Sequence, residues 1–146
     1  MLELIVGCMF PMLLTPDFLM EYKECRDDKY MIENVAEWYP TVSASFDEGD
    51  KMLAMKIIYC ESSGNSNAIG RNVNGTEDRG LWQFNDKTWA WLKPKLGIIS
   101  NRFDAEVSTR VAAWLVYNDG WHHWNSSKHC WKGQTNELLW LSLIHI

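Results

Sequence analysis

The stretch CESSGNSNAIGRNVNGTEDRGLWQFN, residues 60–85, holds the clearest structural signals of this chain. It follows the mostly apolar run 51–60, which predicts a central, buried helix. Ser45 and Glu48 have the spacing of a capping box and place the start of that helix near them, and Gly64 is a fitting stop. We therefore expect Glu61 at the C-terminal end of a helix, where it emerges from the core.

The second half of this stretch predicts a β-hairpin. Asn74 and Gly75 form an Asn-Gly pair, which suits a type I′ turn, so residues 69–84 should fold back on themselves. The hairpin would bring Asp78, seventeen residues after Glu61, opposite that glutamate.

The rest of the chain reads as helical. A helical region is expected around residues 18–38, broken by Pro40, and another helix should begin near Asp104. Apolar residues at 107, 111, 114 and 115 support the second helix, which residues 118–120 should end. No internal repeat or low-complexity linker interrupts residues 38–132, which we expect to form one domain.

Two carboxyl groups facing each other across a cleft suit the cleavage of a glycosidic bond, because one can protonate the leaving oxygen while the other stabilises oxocarbenium-like charge. Glu61 is the predicted acid, since the helix dipole and apolar surroundings both disfavour its ionised form and raise its pKa. Asp78 is the predicted second carboxylate, and the alternative is a loop residue that bonds nearby backbone. Glu77 is the fallback, although its side chain should point to the opposite face of the strand.

From Glu61-Ser62 to residues 80–85, GLWQFN, the chain resembles the lysozyme-like superfamily and is closest to the transglycosylase-type (SLT-like) domains of bacteria and their phages. The spacing of Glu61 and Asp78 is similar to that of animal-type (c-type) lysozymes, without a gap. The resemblance implies an α+β, mainly α, lysozyme-like fold with a small β-hairpin beside the cleft. It also implies an enzyme that cleaves the β-1,4 bond between N-acetylmuramic acid and N-acetylglucosamine in peptidoglycan.

Three functions stay open at this point. A hydrolase (muramidase) would use both Glu61 and Asp78. A lytic transglycosylase would use Glu61 as acid and then base, release 1,6-anhydromuramic ends, and not need Asp78, whose position is not dependably acidic in the bacterial domains. A non-catalytic glycan-binding or virion structural module is the alternative from another class.

Amide and aromatic side chains are the candidate substrate contacts. Gln83 and Asn85 would share one face of an extended strand and bond sugar hydroxyl and N-acetyl groups, or else satisfy buried backbone. Gly80 would let the substrate approach the backbone or supply an unusual dihedral angle. Four further candidates could stack on sugar rings, with core packing as the default for at least two of them: Trp89, Tyr117, Trp121 and Trp124.

Four cysteines, Cys8, Cys25, Cys60 and Cys130, permit three full pairings, and their positions alone leave all three open. In the families that the chain resembles, a cysteine on the helix of the catalytic glutamate commonly bridges to the C-terminal helix, which implies Cys60–Cys130. Such a bond would contribute about 4 kcal/mol in an oxidising compartment. Two buried free thiols are the alternative.

Both termini need a separate interpretation. We assign residues 1–37 to an N-terminal segment and 38–140 to the catalytic domain. The apolar run 4–14 has the length of a signal-peptide core, and IVGC at 5–8 resembles a lipobox, but Glu3 stands where a basic region belongs. A segment packed on the domain and the remnant of a longer N-terminus are the alternatives. Residues 141–146, LSLIHI, back-translate to a transposon end used in preparing sequencing libraries, so we interpret them as adapter read-through.

The net charge and the spacing of the histidines limit which ligands and cofactors we expect. A net charge of −5 provides no broad basic field, which excludes nucleic acid as the expected ligand and leaves cell-wall recognition to the cleft. His122, His123 and His129 match no strong metal-ligand spacing, so no metal or cofactor is predicted. We expect a monomer without a stable membrane span that binds peptidoglycan glycan strands. It would be secreted, periplasmic or wall-associated, or released in phage lysis.

Overall fold

The computed structural model describes Cys8 and residues 15–133, so residues 141–146 and most of the apolar run 4–14 lie outside the described part. Helices and one three-stranded antiparallel sheet make up the structure, which confirms the α+β, mainly α, fold class. The helices are α1 (Pro16–Val35), α2 (Tyr39–Ser43), α3 (Lys51–Ser62), α4 (Asp86–Leu96), α5 (Ala105–Asp119) and α6 (Lys128–Trp131), with 3₁₀ helices at Ala36–Trp38, Glu48–Asp50 and Trp121–Ser127. The strands are β1 (Ile69–Arg71), β2 (Glu77–Arg79) and β3 (Phe84–Asn85).

Helix α3 is the central, buried helix that the sequence predicted. Its side chains form the middle of the core, into which α1 and α5 also pack: the buried apolar residues include Ile32, Val35, Ala54, Met55, Ile57, Ile58, Val111 and Leu115. Burial on several sides explains why the apolar positions of α3 do not form a single stripe. The helix therefore holds its last turn, with Glu61, rigidly against the core.

Helix α3 does not begin with the capping box that the sequence predicted. Ser45 and Glu48 do not form a capping box, because residues 48–50 form a 3₁₀ turn and α3 begins at Lys51 without a side-chain cap. Glu48 instead accepts a hydrogen bond from Lys51 Nζ at 2.6 Å.

The end of α3 is close to the predicted one. Ser63 takes up a left-handed conformation (φ 52°), and its N–H donates to the Tyr59 carbonyl at 2.8 Å. Gly64 follows with φ 79°, and a Cβ there would lie 2.2 Å from the Asn34 carbonyl oxygen of α1. The chain therefore turns immediately after Glu61 and passes close to α1, which only glycine allows.

The predicted hairpin is formed by β1 and β2, with Gly70 opposite Asp78. Its turn is not type I′, which needs positive φ at two successive residues. Gly75 has φ 83°, but Asn74 does not have a positive φ. The Gly75 N–H donates to the Asn72 carbonyl at 3.0 Å. The two residues 84–85 form β3, which pairs Asp78 with Asn85.

Arg102, which the sequence interpretation did not single out, ties the sheet to α4. The residue is 8% exposed. Its Nη1 donates to the carbonyls of Glu77 and Phe84 at 3.0 and 2.8 Å, and its Nη2 donates to Asp86 Oδ1 at 2.6 Å. One side chain thus fixes two strands and the first turn of a helix.

The predicted boundaries of α5 agree with the structure better than the predicted role of Pro40. Asp104 caps α5 by accepting from the Val107 N–H at 3.0 Å, and α5 ends at Asp119, as expected. Pro40 does not simply break a helix; it lies in the first turn of α2, where a missing N–H is tolerated. No helix among the described residues is long and apolar enough to cross a bilayer.

Two disulfides join the cysteines. Cys60 is bonded to Cys130, the pairing that the resemblance implied, and Cys8 is bonded to Cys25. The first bond links the last turn of α3 to α6, and the second links Cys8 to α1.

Candidate active site

Glu61 lies in the last turn of α3, partly buried, and lines a cavity of about 220 Å³. Burial raises the pKa of the Glu61 carboxyl, and the nearby charge of Asp78 raises it further, while a hydrogen bond from Ser127 Oγ to Glu61 Oε1 partly opposes this shift. The net direction is upward. A carboxyl group in this setting stays protonated to a higher pH than an ordinary glutamate and is suited to donate a proton.

Asp78 lies on the central strand β2 and lines the same cavity as Glu61. Asn85, its partner on β3, donates from Nδ2 to Asp78 Oδ1 at 2.7 Å and to Thr76 Oγ1 at 2.9 Å. On the other side, Gly70 faces Asp78 across the hairpin, and a Cβ there would lie 2.9 Å from Gln83 Oε1, so the missing side chain leaves room for the Gln83 amide. The hairpin thus presents one oriented carboxyl group towards the wall that carries Glu61.

Gln83 does not lie on a strand with Asn85. It has φ 50°, and its Nε2 donates to the backbone carbonyls of Ala68 and Gly80 at 3.1 and 2.9 Å. Gly80 has φ 84° and is packed so tightly that a Cβ would lie 1.9 Å from the Arg102 carbonyl oxygen. The predicted shared face is therefore wrong because residues 80–83 turn, although Gln83 and Asn85 both line the cavity.

The four aromatic candidates occupy different environments. Trp89 is 7% exposed and packs on Phe84 with ring centroids 5.4 Å apart, so it fills the core and offers no open face to a sugar. Trp124 is 3% exposed and lines the cavity. Trp121 and Tyr117 both pack on Phe46, outside the cavity lining.

Tyr117 has a defined hydrogen-bonding role. The residue is 46% exposed, and its hydroxyl accepts from the Asp47 N–H and donates to Asp50 Oδ2, both at 2.8 Å. These bonds connect α5 to the 3₁₀ turn that precedes α3. Its ring therefore has a structural function apart from any substrate contact.

Six residues were not predicted as site residues from the sequence: Trp82, Phe84, Thr88, His123 and Ser126, which line the cavity, and Ser127, which contacts Glu61. For Ser127 a signal existed. Cys60 precedes Glu61 and Cys130 follows Ser127 by three residues, so the implied disulfide already placed the two segments side by side.

One cluster among the described residues has the composition of a metal site. The ligand atoms of Asp119, His122 and His123 lie within 4.8 Å of one another, and Asp119 Oδ2 is 2.7 Å from His123 Nε2. His129, weighed with the two histidines in the sequence, is not part of it. The two histidine and one carboxylate ligands would suit a divalent transition metal, but Asp119 and His122 are exposed and already paired.

Comparison with known proteins identifies the family. A family model described as "Transglycosylase SLT domain" matches residues 40–124, which include Glu61, Asp78 and the cavity residues up to Trp124 but neither Ser127 nor Cys130. Neither the search of curated proteins nor that of solved structures found a match. Because the match covers more than half of the chain, and because the carboxyl pair lies within it, the protein belongs to the SLT transglycosylase domain family of lysozyme-like enzymes that cleave the glycosidic bonds of peptidoglycan.

Proposed function

We propose that this enzyme is a muramidase, which hydrolyses the β-1,4 bond between N-acetylmuramic acid and N-acetylglucosamine with Glu61 as the acid and Asp78 as the second carboxylate. The observation that carries the proposal is the shared cavity of Glu61 and Asp78. Burial holds the pKa of Glu61 above its usual range, whereas Asp78 lies in a polar setting beside Asn85 and Thr76. Two carboxyl groups in such unlike surroundings can take the two roles that glycoside hydrolysis needs.

In the first step, Glu61 transfers its proton to the glycosidic oxygen as the bond from that oxygen to C1 of the N-acetylmuramic residue breaks. The leaving N-acetylglucosamine residue departs with a free hydroxyl. Asp78, on the hairpin wall, stabilises the positive charge at C1 or forms a bond to C1. Water then attacks C1, displaces the Asp78 carboxylate where that bond has formed, and gives its proton to the Glu61 carboxylate, which restores the starting state.

The lining of the cavity suits a sugar. Gln83, Asn85, Thr88 and His123 bring amide, hydroxyl and imidazole groups to its walls, and Trp124 provides an aromatic one. Such groups can bond sugar hydroxyl and N-acetyl groups. The net charge of −5 adds no general attraction to an anionic wall, so recognition of the glycan strand rests on these groups.

A lytic transglycosylase is the second candidate, since the description of the matching family names this activity. In that reaction the N-acetyl group of the substrate assists at C1, and Glu61 then removes the proton of the 6-hydroxyl, which closes a 1,6-anhydro ring. Asp78 would then be dispensable. A non-catalytic glycan-binding or virion structural module has no support of this kind, since the acid and its environment are intact.

The products and one variant separate these candidates. Mass spectrometry of digested peptidoglycan should find reducing ends, one water heavier per cut than anhydro ends. Asp78→Asn should lower the rate by roughly 10²-fold or more while leaving Glu61 able to hold its proton. Anhydro products together with an almost fully active Asp78→Asn enzyme would instead establish the transglycosylase.

We further propose that the enzyme acts as a monomer in an oxidising compartment, outside the cytoplasm. The two disulfides of the structure support this location, since such bonds persist in secreted and periplasmic proteins. The bond from Cys8 also bears on the lipobox, because a thioether-linked lipid and a disulfide cannot occupy the same Sγ atom. Non-reducing peptide mapping of exported protein, with sedimentation analysis, tests both points.

A further inference from the structure

We propose that Ser127 is a positioning residue for the general acid: its hydroxyl holds Glu61 Oε1, so that Oε2 is the oxygen that carries the proton to the substrate. The inference rests on the proposed role of Glu61 as acid. Ser127 lies three residues beyond the segment that the SLT family model matches, so the match does not assign it a role.

The fold brings the two residues together by a covalent bond and by local packing. Cys60, beside Glu61, is bonded to Cys130 in α6, and Ser127 ends the 3₁₀ helix immediately before α6. That 3₁₀ helix is anchored in turn by Trp124, whose Nε1 donates to the Trp82 carbonyl at 3.1 Å. Ser127 therefore has a fixed position relative to the end of α3.

The hydroxyl of Ser127 has two acceptors within reach but only one hydrogen to donate. Its Oγ contacts Glu61 Oε1 and also lies 3.1 Å from the Trp124 carbonyl oxygen. That carbonyl accepts a further hydrogen bond from Trp131 Nε1 at 3.2 Å. Ser127 can therefore give its hydrogen to Glu61 without leaving the Trp124 carbonyl unpaired.

The consequence for Glu61 is a difference between its two oxygens. Oε1 accepts from Ser127, whereas no residue in the described part of the chain hydrogen-bonds Oε2. An oxygen that already accepts a hydrogen bond is the poorer site for a proton, so the proton resides on Oε2. After transfer the carboxylate is charged, and the bond from Ser127 becomes charge-assisted and stronger.

Ser127→Ala tests the proposal in the intact protein, with soluble glycan fragments as substrate. We expect the maximal rate to fall roughly 10- to 100-fold, because the acid loses its alignment. We also expect the alkaline limb of the pH–rate profile to move to higher pH, because the bond from Ser127 lowers the pKa of Glu61. Ser127→Thr, which keeps the hydroxyl, should return the limb to its parental position. Ser43→Ala is the matched control, since Ser43 Oγ is buried without a partner and lies outside the cavity.

The direction in which the alkaline limb of the pH–rate profile moves distinguishes a loss of positioning from a loosened fold. If the substitution merely admits water, Glu61 is less buried and the limb moves to lower pH; a limb that stays or moves down overturns the proposal. If Ser127→Ala fails to fold, Ser127→Gly removes the same hydroxyl. Glu61→Gln is measured in parallel: full activity in that variant refutes the proposed function, whereas an inactive Glu61→Gln with a parental Ser127→Ala refutes this inference alone.

Discussion

The Asn85 side chain donates to Asp78 Oδ1 at 2.7 Å and at the same time begins α4, because its Oδ1 accepts from the Lys87 N–H at 3.1 Å. The second carboxyl group of the cavity is thus oriented by the cap of a helix. Orientation and capping use opposite ends of one amide, so a substitution can separate them.

Asn85→Asp should keep the cap and lose the orientation. A carboxylate still accepts from the Lys87 N–H, so we expect Asn85→Asp to keep the helix cap, whereas Asn85→Ala should lose it at a cost of about 1 kcal/mol. The new carboxylate can no longer donate to Asp78 and places like charges together. The rate of hydrolysis should fall by roughly tenfold or more. Parental rates in Asn85→Asp would show that the orientation of Asp78 is not used.

Glu61→Gln should abolish activity and preserve the fold. The amide has nearly the same shape but cannot donate a proton at a useful rate, so we expect a loss of at least roughly 10²–10⁴. Wall-degradation assays on the purified variant and parent measure this, and circular dichroism checks the fold. Activity within tenfold of the parent would mean that the acid is misassigned.

The raised pKa of Glu61 also predicts how stability depends on pH. Ionising this carboxyl is less favourable in the folded protein than in the unfolded chain. Its contribution to the free energy of unfolding is therefore complete below the usual glutamate pKa of 4.5. That contribution is then lost as the pH rises through the folded-state pKa. The melting temperature of Glu61→Gln should therefore increase relative to the parent as the pH rises from about 4 to about 8.

The titration of other carboxyl groups does not affect this comparison between Glu61→Gln and the parent. Glu77, Asp86 and Asp104 have lowered pKa values, caused respectively by the Arg79 side chain, the Glu77 backbone N–H and the Val107 backbone N–H. Their contributions run in the opposite direction with pH but are common to both proteins and cancel in the difference. A difference that stays constant across this range would contradict the burial of Glu61.

The two disulfides should differ in their effects. Cys60–Cys130 spans 70 residues and Cys8–Cys25 spans 17, for which the chain-entropy model gives about 4 and about 3 kcal/mol. Replacing the first pair by serine should lower the melting temperature by roughly 10 °C and impair catalysis, because the bond lies beside Glu61. Replacing the second pair serves as the control and should spare catalysis. Equal kinetic effects would show that neither bond acts through the site.

Local chain properties were readable from the sequence. The mostly apolar run 51–60 predicted a buried helix, which placed α3 and Glu61, and the apolar residues at 107, 111, 114 and 115 placed α5, which begins after Asp104. The hairpin followed from Asn74-Gly75, although the turn type did not, because a longer loop lets Gly75 alone take the positive φ. The resemblance to SLT-like domains depended on side chains between residues 61 and 85.

What escaped prediction depends on contacts between distant segments. Arg102 meets Glu77 25 residues away, and Ser127 meets Glu61 66 residues away. Nothing in the neighbourhood of Arg102 signals its partner, and for Ser127 the signal was indirect, through the implied Cys60–Cys130 bond. Trp89 has the same difficulty, since only the position of Phe84 decides whether its ring lies in the core or in the cleft.

Arg102 and Gly80 together determine which parts of the cleft can vary. The carbonyl of Arg102 leaves no space for a side chain at position 80, and the Arg102 guanidinium holds one carbonyl of the Asp78 strand and one of the neighbouring strand β3. A side chain at position 80 would displace the backbone of Arg102 and with it the guanidinium, so Gly80 protects the bonds that join β2 and β3. Thr88 and Ser126 also line the cavity, and among the described residues neither side chain hydrogen-bonds Glu61 or Asp78, so we expect substitutions at these two positions to alter substrate preference with little effect on the carboxyl groups.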